Sequence, residues 1–86
     1  MIVWLWEAPG TIRFACGVSS DQADAREAAR ACVASGSAGA AVVQAASLVS
    51  GPDTDPYYAR FGPCWQVSRA PGGEIRWREL TAKPAT

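Results

Sequence analysis

Apolar and polar positions alternate along the first stretch of the chain. Val3, Leu5 and Glu7 fall on one side of an extended backbone, and Ile2, Trp4 and Trp6 on the other. Pro9-Gly10 follows, a turn dipeptide because proline presets φ and glycine accepts positive φ. Alternation then resumes, with Ile12, Phe14 and Cys16 on one face and Thr11, Arg13 and Ala15 on the other. The two stretches predict a β-hairpin. A two-residue loop at Pro9-Gly10 sets Leu5 opposite Phe14, Val3 opposite Cys16 and Trp6 opposite Arg13. One face is then aliphatic and suited to a helix, while the other carries Trp4 and Trp6 beside Arg13. A slip of one residue exchanges the two faces and turns both tryptophans inward.

The period then changes from two to that of a helix. Ser19 and Gln22 have the spacing of a capping box, and Asp21 and Asp24 suit the positive end of a helix dipole. From Ala23 to Ala34 almost every residue is a good helix former, and Ala25, Ala28, Ala29, Cys32 and Val33 make a thin apolar stripe. Gly36 and Gly39 end it. Such a stripe lets the helix approach a sheet closely but contributes little apolar area, so large side chains elsewhere must fill the layer. Leu5, Ile12, Phe14, Val67 and Trp77 are the expected fillers.

Ala40 to Val49 mixes helix-favouring alanines with Val42-Val43 and Leu48-Val49, and its apolar length reads as a strand. Gly51 to Pro63 reads as a loop, being dense in turn formers, with Tyr57, Tyr58 and Phe61 covering a sheet edge. Trp65 to Arg69 and Ile75 to Arg78 alternate around Pro71-Gly72-Gly73, a second hairpin with Val67 facing Trp77 and Trp65 on the same side. Gln66, Ser68, Arg76 and Arg78 take the other side. The expected fold class is α+β, a single helix packed on a mostly antiparallel sheet in the order ββαβββ. Residues 1–80 form one domain and 81–86 a flexible tail.

Composition narrows the chemistry. With 49% hydrophobic and 19% charged residues among 86, the chain folds rather than remaining disordered, and it has room for one domain. There is no histidine, which removes Ser-His-Asp and Cys-His pairs, His-ligated zinc and a histidine switch. Cys16, Cys32 and Cys64 form no C-x-x-C pair and, being odd in number without a secretory signal, read as small buried side chains. Cys64 lies next to the basic strand but lacks a base to activate it. Asp53 and Asp55 lack a third carboxylate, so they read as a turn and not a metal site. Gly72-Gly73 precedes no helix and is no phosphate cradle. No metal, cofactor or catalytic constellation is expected. The apolar run at 38–49 is too short for a membrane span, and the expected location is cytoplasmic. Abundant alanine, and arginine at seven of eight basic positions, fit a high-G+C bacterial genome.

Two functional readings remain. The first is a non-enzymatic interaction domain that binds a protein partner, or itself as a homodimer, through an exposed sheet face or edge including Trp4, Trp6 and Arg13. The second is a nucleic-acid-binding module using the second hairpin. There Arg60, Arg69, Arg76 and Arg78 contact phosphates and Trp77 stacks or packs beneath them. Net charge is zero, so only a local basic excess in the last third of the chain favours this reading, and it implies weak binding.

Overall fold

Residues 2–10 and 14–80 are described by a computed structural model of the chain. Thr11, Ile12, Arg13 and the expected tail at 81–86 lie outside the described residues. The elements run β1 (Ile2–Pro9), β2 (Phe14–Ser19), α1 (Gln22–Ala34), β3 (Ala40–Gly51), β4 (Thr54–Arg69) and β5 (Ile75–Leu80). All strands join one antiparallel sheet in the spatial order β2-β1-β3-β4-β5, with α1 on one face. This is the α+β architecture in the order ββαβββ.

The helix begins two residues later than the capping-box spacing implies. Asp21 is the N-cap, in extended conformation, and its carboxylate accepts the Ala23 N–H at 2.8 Å. Ser19 instead accepts the Asp21 N–H. At the other end Gly36, with φ of 83°, supplies the left-handed turn. The last turn of α1 holds no basic residue, yet Arg69 of β4 donates to the carbonyls of Val33 and Ala34 at 2.9 and 2.7 Å. A cation from the sheet thus satisfies the Ala34 carbonyl, adds to the Gly36 N–H already on the Val33 carbonyl, and complements the helix's negative end.

The first hairpin differs from expectation in register. Leu5 lies opposite Val18 rather than Phe14, four positions further along β2, and Pro9 lies opposite Phe14. The connection is therefore longer than Pro9-Gly10. An even shift leaves the composition of each face unchanged. What changes is which face meets the helix. Trp4, Trp6, Ala8 and Ala15 pack into the cluster that contains Ala25, Ala29 and Val33 of α1, together with Ala41, Val43 and Val67 of the sheet. Val3, Leu5 and Ala46 form a separate buried cluster. Leu5 is buried as expected, but away from the helix; Phe14 is 58% exposed and fills no core. Val67 and Trp77 do lie in the helix layer.

The reason is volume. Ala25 and Ala29 are fully buried, and an alanine surface needs large partners to reach native packing density. The four tryptophans are the largest side chains in the sequence. Trp4 and Trp6 pair with Ala45 and Val43, Trp65 pairs with Val43 from the other side, and Trp77 pairs with Val67. Directly opposed residues share a face, so all four indoles lie on the helix side. Arg26 of α1 lies over Trp77 at 4.4 Å and Trp65 at 5.4 Å from the ring centres. Gly17 makes room for Trp6: a Cβ there would sit 2.6 Å from the indole Nε1.

The stretch 51–63 is strand and not loop. After a tight turn at Pro52 and Asp53, β4 pairs with β3 from Thr54 onward. Pro52 lies in the turn, and the two prolines within β4 sit where the ladder is irregular, Pro63 between the pairs Gln44–Cys64 and Ala45–Phe61, and Pro56 near the shift at Val49/Gly51. A bulge tolerates a residue without an N–H, and Gly62 turns through φ of 73° beside it. The second hairpin has the expected pairing of Val67 with Trp77.

Candidate functional site

Trp4 and Trp6 were expected on an uncovered face. They are half-buried beneath α1, because the alanine stripe recruits the bulkier of the two hairpin faces. Arg13 lies outside the described residues. The uncovered face is the other one. It carries Glu7 of β1 beside Val3 and Leu5, and Phe14, Cys16 and Val18 of β2. From β3 to β5 it continues through Leu48, Tyr58, Arg60, Gln66, Arg76 and Arg78.

Its centre is not bare. Val3 and Leu5 are each 8% exposed although no helix covers them. Arg60 reaches across to pair with Glu7, and Tyr58 and Arg60 line a cleft of about 220 Å³ with Leu5, Cys16 and Val18. β4 is three places from β2 in the sheet, so this meeting requires the β3–β4 ribbon to curl over the open face. The bulge at Gly62-Pro63 lies at the root of that curl, where the two unpaired residues bend and twist the strand. Gln44 fixes the bulge by donating to the Gly62 carbonyl at 2.9 Å.

The rim stays exposed. Phe14 and Val18 on the β2 side are 58% and 48% exposed, and Leu48 and Tyr58 on the ribbon 50% and 42%. Tyr57 and Phe61, also exposed, lie on the ribbon's opposite side, paired with Val49 and Ala45. The alternation in β2 contained the signal for Phe14 and Val18. Tyr58 and the Glu7–Arg60 pair were hidden by reading the ribbon as a loop.

The residues proposed for nucleic acid are divided. Arg76 and Arg78 share the open face, where Arg76 pairs with Glu74 at 3.3 Å and Arg78 donates to the Gln66 side-chain oxygen. Arg60 is paired with Glu7, Arg69 is bound to the helix carbonyls, and Trp77 faces α1. A shallow groove of about 450 Å³ runs beside Ser68, Arg76 and Arg78. Burial pushes the Cys64 thiol up, against a smaller opposite pull from Arg60. Cys64 therefore stays protonated and is a poor nucleophile. Among the described residues no three Cys, Asp or Glu side chains converge as a metal site requires, and no helix is long and apolar enough to cross a membrane. Compared with protein-family models, with curated proteins and with solved structures, the chain matches none.

Proposed function

We propose that this chain is a non-enzymatic interaction domain that binds a polypeptide through the open face of its sheet and the adjoining β2 edge. The observation that carries this is the exposed apolar rim of Phe14, Val18, Leu48 and Tyr58 around a buried centre, on the face that α1 leaves uncovered. Apolar side chains grouped on one face of a small domain mark a surface that gains by being covered. The outer surface of α1, by contrast, presents charged residues such as Glu27 and Arg30, paired with each other, and the exposed Ile2, Tyr57 and Phe61 on the helix side surround no buried centre of their own.

The test is site-specific photo-crosslinking in expressing cells. A photoreactive amino acid at position Val18 or Leu48 is expected to give a discrete higher-mass adduct with a polypeptide. The same group at Glu27 is expected to give none. Equal labelling from both faces, or none from either, overturns the reading. The nucleic-acid alternative is supported by Arg76 and Arg78 standing two residues apart on the open face. It is weakened because Arg60, Arg69 and Arg76 already have partners and Trp77 lies on the opposite side.

A further inference from the structure

The two edges of the sheet differ in how they are guarded. Along β5 the sequence is Ile-Arg-Trp-Arg-Glu-Leu, with Glu74 immediately before it. Charges of that kind on an edge strand discourage another strand from pairing with it. Along β2 the sequence is Phe-Ala-Cys-Gly-Val-Ser, with no charge and no proline. Its outer main-chain groups are therefore an unguarded template for strand addition.

We propose that a second copy of this chain occupies that edge, β2 against β2 in antiparallel orientation, with the two-fold axis at Cys16. This rests on the reading of the open face and its edge as a polypeptide-binding surface, and names the occupant. The pattern about Cys16 is symmetric: Ala15 and Gly17 flank it, then Phe14 and Val18. Pairing about that centre sets Phe14 opposite the partner's Val18 and Ala15 opposite the partner's Gly17. Each large apolar side chain meets a large one on the open face, and each small residue meets a small one on the helix face. That satisfies the self-complementarity a two-fold contact demands. Phe14 and Val18 are the β2 residues whose exposure nothing else in the fold explains. No like charges meet across the seam, and a net charge of zero puts no long-range repulsion between copies. The axis stands perpendicular to the sheet, so both helices lie on one side of a continuous ten-stranded sheet and both open faces on the other.

Cys16 is exposed, and the pairing brings it to its own symmetry mate. Opposed Cβ atoms across antiparallel strands stand about 4.5–5.5 Å apart. Sedimentation velocity from micromolar to submillimolar concentration, on the native chain and on Cys16→Lys and Cys16→Glu, tests the arrangement. The native chain is expected to dimerise. Each variant alone is expected to associate at least about tenfold more weakly, because two like charges face each other at the axis. An equimolar mixture of the two variants is expected to dimerise again, which a variant that had merely unfolded would not do. A short bis-maleimide on the native chain, followed by peptide mapping, is expected to link Cys16 to Cys16. A native chain that stays monomeric throughout overturns the proposal. So do single variants that dimerise like the native chain. In either case an adduct with another protein from Val18 or Leu48 leaves the interaction reading standing, and its absence removes both.

Discussion

Replacing Gly17 by alanine probes the layer beneath the helix with a single methyl group. The added Cβ would stand 2.6, 2.8 and 2.9 Å from Nε1, Cε2 and Cζ2 of Trp6, so the ring or the strand must move. The ring is packed against the helix cluster and is not a flexible end that swings aside at little cost. Inserting a methyl group into such a layer costs about 1–3 kcal/mol. Against that stands the advantage of alanine over glycine in a strand, about 0.5–1 kcal/mol from the glycine's greater chain entropy. Gly17 does not have a positive φ, so backbone strain adds nothing to either side. The two ranges leave a net loss between about 0 and 2.5 kcal/mol, centred near about 1 kcal/mol. For a domain of this size a loss of about 1 kcal/mol lowers the thermal midpoint by roughly 4–8 °C. Thermal and urea unfolding followed by circular dichroism measure it. The companion variant decides the cause: with Trp6→Leu in place the obstructing indole is gone, and Gly17→Ala becomes neutral or slightly stabilising. A methyl group that is harmless in the native background refutes the placement of Trp6 over β2, and with it the assignment of the tryptophan face to the helix.

The remaining predictions follow from the same packing. Ala29→Leu, at a fully buried helix position, costs about 1–3 kcal/mol by overpacking in urea unfolding, whereas Phe14→Ala, made in the Cys16→Lys background that keeps the chain monomeric, costs no more than about 0.5 kcal/mol because the ring is largely in solvent there. Arg69→Ala leaves the Val33 and Ala34 carbonyls without their cationic donor and destabilises by about 1–3 kcal/mol, and Arg69→Lys restores only part of this because its ammonium, a single nitrogen like the one that serves both carbonyls here, sits on a shorter side chain. A thiol reagent at mildly alkaline pH labels Cys16 well before Cys64, since the first is exposed and the second is held protonated by burial; equal rates overturn the assignment. As pH rises beyond the ordinary thiol range, ionising Cys64 is harder in the folded chain than in the unfolded one. Its contribution to stability is therefore present below the unfolded thiol's pKa and lost as pH rises through the raised folded value; urea midpoints of the native chain and Cys64→Ala are expected to converge at high pH.

Most of the element order was legible because it rests on local periodicity and punctuation. Alternation marked β1, β2, β4 and β5, and the alanine-rich run marked α1. The ribbon was not legible. The turn-forming run from Pro52 to Pro56 and the pair Gly62-Pro63 read as loop, since proline is normally excluded from a paired strand, and no local pattern announces that Pro56 and Pro63 will fall at irregularities of the ladder. With the ribbon went Tyr58 and Arg60, whose approach to Leu5 and Glu7 depends on a curl generated by that bulge.

The orientation of the first hairpin failed for a different reason. Both of its faces are apolar, so alternation identifies two faces without saying which one the helix takes. The choice is made by a volume match that spans the whole chain. A helix lined by Ala25 and Ala29 contributes little volume to the layer, and the sheet fills it with indoles from β1, β4 and β5. The sheet supplies the bulk, and it does so with its aromatic face and not its aliphatic one. Gly17 was the deciding residue in plain sight. A glycine inside a strand removes a side chain where another group must come close, and the group opposite Gly17 in the native register is Trp6. Treating that glycine as a seat for a ring directly across the ladder orients the hairpin, sends Phe14 and Val18 outward, and moves the surface available to a partner from the tryptophans to the β2 edge.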